Sequence, residues 1–217
     1  MFIVVRTRPP LVASLLLLVM AAHTPAQSPS HSRAFVSVGL GPYWTDRSGF
    51  AETYGSPTVL AGAGGFGLRV VPHLHLYGKV TYMAKKSLDE TAQFKQWLMN
   101  AGLEYGLPLL DNITLALQGG VAYSVVSEEM NEADGSSSSL RGSGFQGLFA
   151  GVGAERPFEG SSCSLFAEIE YNTSRTDVAS LVGEYGGLNI TLGIRYRFLD
   201  DGSPKEDAAP PPSIWKE

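Results

Sequence analysis

Residues 113–124 read ITLALQGGVAYS, and along this stretch apolar side chains alternate with small or polar ones. One face of an extended chain would carry Ile113, Leu115, Leu117, Gly119, Val121 and Tyr123, and the other Thr114, Ala116, Gln118, Gly120, Ala122 and Ser124. A helix would return its apolar residues every three or four positions, which this stretch does not do. A strand of about ten residues with this alternation is long enough to cross a bilayer at a tilt. The stretch therefore predicts a membrane-crossing β-strand.

The same alternation recurs along the chain after residue 33. It predicts eight strands, at residues 34–44, 58–71, 74–84, 95–106, 112–126, 143–155, 163–173 and 187–198. Long polar connections at 45–57, 85–94, 127–142 and 174–186 alternate with short ones at 71–73, 107–111 and 156–162. A membrane barrel has this arrangement because one rim carries long external loops and the other carries tight periplasmic turns. The predicted fold is all-β, an eight-stranded antiparallel up-and-down transmembrane β-barrel over residues 34–198.

The charge content of the chain favours the same fold. Charged residues make up 17% of the sequence and the formal net charge is −5, whereas soluble domains carry about a quarter of charged residues. A sheet whose outer face meets lipid explains the low content. The chain has no basic run, so nucleic acid is excluded as a partner.

The first 26 residues have the composition of an export signal. Two arginines supply positive charge near the start, residues 11–22 are apolar, and small residues up to Ala26 offer a cleavage site. The apolar run of about 12 residues is shorter than the roughly 20 that a transmembrane helix needs. We expect a cleaved signal peptide at 1–26, a periplasmic extension at 27–33, and a disordered acidic, proline-rich periplasmic tail at 199–217.

Aromatic side chains cluster near the ends of the predicted strands. Tyr82, Trp97, Tyr123 and Tyr171 lie towards the external end, and Tyr105, Tyr196 and Phe198 lie towards the other. Rings with an apolar body and a polar tip suit the two bilayer interfaces. We therefore predict two aromatic girdles, although the preference of aromatic residues for strands is an alternative explanation at any one position.

The last predicted strand, residues 187–198, reads GLNITLGIRYRF and ends on two aromatic residues two positions apart. With Gly193, Tyr196 and Phe198 it resembles the terminal recognition signal of bacterial outer-membrane barrels. The chain over 34–198 thus resembles small eight-stranded outer-membrane proteins of the OmpA-like or opacity-protein-like type. The resemblance implies an outer-membrane location, lipid as a partner, and recognition by the barrel-assembly machinery during biogenesis. The chain departs from the family's pattern by continuing past Phe198 to residue 217.

Eight strands enclose a lumen only wide enough for side chains. Polar residues on the inward face should pair there, because an isolated buried charge is costly. The candidates for this lumen network are Lys79, Glu104, Glu168, Glu170, Arg195 and Arg197, with Asn100 and Gln118 nearby. Since the last two strands are neighbours, we expect the two glutamates of the seventh to reach the arginines of the eighth. His75 should lie opposite Glu104.

These features favour a structural or surface-interaction role through the external loops at 45–57, 127–142 and 174–186, without catalysis. The second of these loops combines Glu128, Glu129, Glu132 and Asp134 with the serines at 136–139. Such a loop suits contact with a host surface, matrix or divalent cations, while a flexible hydrophilic loop is the simpler interpretation.

Three other interpretations are weaker. A soluble periplasmic lipocalin-like barrel would bind an apolar ligand inside and need a charged outer face, and a narrow low-conductance channel would need an open lumen. A lipid-modifying enzyme would need a base beside its nucleophile, and no histidine lies in a predicted external loop. The pair His73 and His75 lacks a third metal ligand, so we predict no metal and no cofactor.

Overall fold

A computed structural model describes residues 32–110, 112–131, 136–176 and 183–199. Within these ranges the chain forms the strands β1 (Ser32–Thr45), β2 (Thr58–Val71), β3 (Leu74–Lys86), β4 (Ala92–Leu110), β5 (Ile113–Asn131), β6 (Ser137–Pro157), β7 (Cys163–Asn172), β8 (Arg175–Thr176), β9 (Gly183–Glu184) and β10 (Gly187–Leu199), and the helix α1 (Phe50–Tyr54). The predicted signal peptide and most of the predicted extension and tail lie outside the described residues. Ser32 and Arg33, predicted in the extension, belong to β1, and Leu199, predicted in the tail, ends β10. No helix in the described part of the chain is long and apolar enough to span a membrane.

Eight of the strands close into one barrel in the order β1-β10-β7-β6-β5-β4-β3-β2, and every neighbouring pair is antiparallel. The remaining two, β8 and β9, form a separate two-stranded ribbon. The register, followed once around the barrel from Phe35, returns to β1 at Thr45, a stagger of ten residues. Such a stagger requires tilted strands. The predicted fold class is confirmed.

Two of the predicted long loops consist of strand over half of their length or more. The ladder of β5 and β6 continues through residue pairs such as Glu128↔Leu140 and Glu129↔Ser139, so the prediction of a loop over 127–142 is wrong for most of its length. Likewise β3 ends at Lys86 and β4 begins at Ala92. These segments were predicted to be loops because they are polar, but a strand that extends beyond the bilayer into water also carries polar side chains on its outer face. As a result β4, β5 and β6 are 19, 19 and 21 residues long, against 10 to 14 for the other barrel strands.

The apolar face of the sheet points away from the lumen. Val38 is 67% exposed and Leu192 is 41% exposed on the outside, whereas Glu168 and Arg195 are buried inside. A lipocalin-like barrel has the opposite orientation, so that alternative is wrong. The outward belt is what a barrel needs when lipid surrounds it, and the inward polar face is where its internal contacts lie.

Candidate functional site in the barrel lumen

The lumen contains a network of buried ions near the end of the barrel with the short turns. Arg195 on β10 donates hydrogen bonds from Nη1 to Glu104 Oε1 at 2.8 Å and to Glu155 Oε2 at 2.9 Å. Arg197 donates from Nε to Glu155 Oε1 at 2.6 Å and from Nη2 to Glu155 Oε2 at 2.5 Å. The two arginines and two glutamates are all buried, so their charges compensate one another where water cannot.

A second ionic cluster lies nearer the middle of the barrel. The Lys79 ammonium donates a hydrogen bond to Glu168 and lies 3.5 Å from Glu170 Oε2. Asn100 donates to Glu170 Oε1 at 2.6 Å, and Gln118 donates to Glu168 Oε2 at 3.3 Å. Gln118 also donates to Glu104 at 2.9 Å, which joins this cluster to the arginines below. The structure thus brings together all six residues proposed for the lumen network.

The pairing within the network differs from the expected one. Glu168 and Glu170 contact Lys79, not the arginines of the last strand. Arg195 instead pairs with Glu104 and with Glu155, a residue that the sequence analysis missed. The register explains the error, because Arg195 pairs with Ser164 on β7 and Glu168 lies four residues further along, about 13 Å of extended chain.

Glu155 could have been identified from the alternation of inward and outward side chains along β6. It shares the inward face of β6 with Phe149 and Gly153, while Val152 and Leu148 point outward. The glycines of this strand obscured that alternation in the sequence.

Beside the arginines lies a histidine with no polar partner. His75 pairs in register with Glu104, as expected, and its ring packs edge-on against Phe35 at 5.4 Å between centroids. Neither ring nitrogen has a hydrogen-bond partner among the described residues. The Arg195 guanidinium stacks over the same Phe35 ring at 3.9 Å. His73 lies in the turn before β3, and the described residues contain no group of three His, Cys, Asp or Glu side chains that could bind a metal.

The opposite end of the barrel is closed by a lid that the sequence analysis did not predict. The helix α1 lies between two left-handed glycines, Gly49 and Gly55. Its two buried rings, Phe50 and Tyr54, pack on Phe94 of β4 at centroid distances of 5.0 and 6.0 Å. These rings belong to an apolar cluster inside the barrel mouth, with Tyr43, Leu98, Val126 and Tyr185 among its other members. The predicted loop over 45–57 is therefore folded into the lumen.

Glu128 fastens this lid to the barrel wall. Its carboxylate accepts a hydrogen bond from Tyr54 Oη at 2.5 Å and one from Arg47 Nη2 at 2.8 Å. Burial raises the pKa of Tyr54, and the adjacent Glu128 charge raises it further. Lys85 adds hydrogen bonds to the carbonyls of Ser56 and Thr58 at 2.8 and 2.9 Å. Glu128, expected as a loop acid open to cations, is instead a buried anchor.

The family of the chain follows from a direct comparison. The family model for the outer membrane protein beta-barrel domain matches residues 12–198. The chain belongs to this family. The resemblance seen in the sequence is confirmed, and the barrel is an outer-membrane barrel, with short turns on the periplasmic side and the lid on the external side.

Solved outer-membrane barrels share its fold. Neisserial surface protein A is 18% identical, with a TM-score of 0.54 over 77% of this chain and 98% of its own. OprG of Pseudomonas aeruginosa is 13% identical, with a TM-score of 0.55 over 80% and 100%. Ail, the attachment invasion locus protein of Yersinia pestis, in complex with the heparin analogue sucrose octasulfate, is 14% identical, with a TM-score of 0.54 over 77% and 99%. No curated protein matches the sequence.

The aromatic residues proposed as girdles lie on the outside of this outer-membrane barrel. Near the lid, the rings of Tyr82 and Trp97 stack at 4.5 Å, and the Tyr171 hydroxyl donates to Asp46 at 2.8 Å. Tyr123 lies on the same outward face of β5 and is half-buried. Near the periplasmic turns, Tyr105, Tyr196 and Phe198 are exposed, and the last two rings pack edge-to-face at 5.0 Å. Their positions suit two interfacial bands.

The glycine of the proposed assembly signal has a packing reason of its own. Gly193 pairs with Gly39 across β10 and β1. A Cβ added at Gly193 would lie 2.1 Å from the carbonyl oxygen of Val38 and 2.7 Å from the Phe166 ring. The two strands approach too closely at this point for any side chain. Gly193 is therefore required by the folded barrel, whatever its role during assembly.

Proposed function

We propose that the protein is a structural outer-membrane barrel that acts through its external surface, without catalysis and without an open pore. The observation that carries this proposal is the filling of the lumen at two levels. The arginine and glutamate network fills the periplasmic half, and the aromatic cluster under α1 fills the external mouth. The lumen of an eight-stranded barrel has little space beyond that taken by its own side chains. The external surface is therefore the part of the protein that we expect to act.

The raised hairpin of β5 and β6 is the part of that surface best placed for a partner. It extends the ladder to the pair Asn131↔Ser137, one residue beyond the last pair between β4 and β5, Ala92↔Met130. Its outer face carries hydroxyls at Ser137 and Ser139, and its Glu129 forms an exposed ion pair with Lys95 of β4 at 3.2 Å. Hydroxyls and paired charges on a rigid ribbon suit a polar protein surface.

A sulfated polysaccharide is a poorer match. Ail was solved with sucrose octasulfate, which needs a cluster of unpaired cations. The exposed side chains around the lid here include Asp46, Glu52, Asp89 and Glu90, against Lys86 and Arg141. The acidic excess favours a protein partner on the host or a neighbouring cell over an anionic glycan.

We propose no catalytic role because of where the histidines lie. In the described residues His73 and His75 lie at the periplasmic end, and the sequence places the other two before residue 32. The external serines therefore have no histidine base within reach, which nucleophilic chemistry on external lipid would need.

Two measurements test the proposal. Purified protein in planar bilayers should show no stable conductance, and cells that display the full protein should bind host cells or matrix protein more strongly than cells with the hairpin shortened across 131–137. The control is a barrel that keeps its hairpin and carries Glu159→Gln, an exposed charge in the turn between β6 and β7 at the other end, which should bind like the wild type. A persistent conductance, or equal binding by the shortened variant, would contradict the proposal.

The proposal extends to export and assembly. We propose that residues 1–26 are removed after Ala26, that residues 27–31 and the tail at 200–217 lie in the periplasm, and that the barrel-assembly machinery reads Gly193, Tyr196 and Phe198. Mass spectrometry of the mature N-terminus checks the first point. Phe198→Ala should slow appearance of the folded, heat-modifiable band in outer-membrane fractions, while the equally exposed Tyr105→Ala should not.

A further inference from the structure

A belt of polar side chains crosses the lumen between the periplasmic ions and the external lid. Glu170 on β7 lies at its centre, and its register partner on β10 is Asn189. From β4, Asn100 donates to the Glu170 carboxylate at 2.6 Å. On β6 the register partner of Glu170 is Gly151, which contributes no side chain. The carboxylate therefore lies beside the Asn100 amide and a glycine, away from water.

The charges at this level do not balance. In the part of the chain that the structure describes, Lys79 is the one ammonium that contacts both Glu168 and Glu170, and all three residues are buried. Below them, Arg195 and Arg197 are matched by Glu104 and Glu155. One negative charge is thus left over at the level of Glu170, and an uncompensated charge at a buried site costs several kcal/mol.

Several oxygen atoms at the same level accept no hydrogen bond from the described residues. Glu170 Oε2 accepts no hydrogen bond, and Asn189 is 1% exposed with neither amide atom bonded to any described residue. Asn100 Oδ1 and Thr191 Oγ1 also have no hydrogen-bond partner among the described residues. Buried polar atoms in native proteins are almost always satisfied. A carboxylate, two amide oxygens and a hydroxyl are hard donors of the kind that bind small cations.

We propose that the barrel binds one monovalent cation of sodium size in its lumen, at the Glu170 carboxylate with the amide oxygens of Asn189 and Asn100. A single positive charge neutralises the excess, and its ligands satisfy the unpartnered oxygens. A calcium ion suits the belt less well, because its sites combine six to eight oxygens and usually several carboxylates. The inference is independent of the proposed surface function.

Thermal unfolding in different salts tests the site in the intact protein. Full-length mature protein in detergent micelles is heated in sodium chloride or in N-methylglucamine chloride at equal ionic strength, and folded protein is read from its mobility on unheated gels. At ten times the dissociation constant, binding raises the folded-to-unfolded ratio about 11-fold. That corresponds to a rise of roughly 3–6 °C in the sodium salt. Equal midpoints in the two salts would overturn the proposal.

Variants separate the site from general salt effects. Glu170→Gln should lose the sodium effect and should melt in N-methylglucamine no lower than the wild type, because the unmatched charge is gone. Asn189→Leu should reduce the sodium effect without changing the charge, which keeps the test valid where Glu170→Gln does not fold. The exposed control Glu129→Gln should keep the full sodium effect.

Crystals soaked in thallium(I) give a direct readout, with an anomalous peak expected beside the Glu170 carboxylate. A belt that contains water only, or a proton on Glu170, would give no peak there and equal melting of the wild type in both salts. Either result rejects the cation. A peak at another position would also reject the assigned ligands.

Discussion

Replacing Glu155 by glutamine tests whether the periplasmic ion network stabilises the barrel. The Glu155 carboxylate is 1% exposed and accepts hydrogen bonds from Arg195, from Arg197 at two positions, and from Ser164 Oγ at 2.6 Å. Glu155→Gln keeps the shape of the side chain, removes its charge, and turns an amide NH₂ group towards a guanidinium. Arg197 then has no carboxylate partner among the described residues.

The size of the effect follows from the burial of the partners. Removal of one member of a buried ion pair costs about 3–5 kcal/mol, since the remaining charge is uncompensated. Loss of an exposed pair costs about 0–1 kcal/mol, so Glu129→Gln, whose side chain is 47% exposed beside Lys95, is the matched control. The double variant Glu155→Leu with Arg197→Met should recover much of the loss, because apolar replacements of a buried pair are often neutral.

Urea unfolding of each variant in lipid vesicles, followed by tryptophan fluorescence, gives the free energies of unfolding. We expect Glu155→Gln to lie about 3–5 kcal/mol below the wild type and Glu129→Gln within about 1 kcal/mol of it. Equal losses for the two single variants would show that the network contributes no more than a surface pair, and the electrostatic reasoning would then be refuted.

Three further predictions concern other parts of the molecule. Glu168→Ala should lower the free energy of unfolding by about 1–3 kcal/mol, because Lys79 and Gln118 lose a hydrogen-bond acceptor while Glu170 still compensates the Lys79 charge. Bilayer conductance should stay at baseline, and a large new conductance at unchanged stability would argue against a plugged lumen. Tyr54→Phe removes the hydrogen bond to Glu128 and should speed amide exchange across α1, whereas unchanged exchange would mean that the bond does not fasten the lid. Hydrogen bonds from Ser87 and Thr91 lower the pKa of Asp89 to about 2, so their contribution to the β3–β4 turn is complete above the ordinary value of about 3.9 and is lost as the pH falls through about 2. NMR titration of the Asp89 carboxyl with a midpoint near 4 would contradict it.

The barrel could be predicted because the signal for each strand lies within a short stretch of sequence. Alternation along one strand, as in 113–124, decides which side chains share a face. The apolar face had to meet lipid, because the other face carries mainly small residues with few charges, which suit a narrow lumen better than a surface exposed to water. The exposed Leu192 and the buried Glu168 follow from the same rule.

The lid was not predictable from the same kind of signal. The helix α1 is five residues long, too short for a periodic pattern, and the two glycines around it suggest a turn as readily as a cap. What stabilises α1 is its packing on Phe94 and its bond to Glu128, which lie on strands remote in sequence. Such contacts exist only once the barrel has closed.

The geometry of the barrel also explains why the partners of the lumen arginines were misassigned. A stagger of ten residues over eight strands shifts side chains at the same height by about 1.25 residues for each strand crossed. From Arg195 the register leads to Ser164 on β7 and then to Pro157 on β6. Over the two strands from β10 to β6 the shift is about 2.5 residues. The side chain at the height of Arg195 is therefore two to three positions from Pro157, and Glu155 lies there. In a tilted barrel the lumen partners of a residue are thus found by level rather than by hydrogen-bonded register.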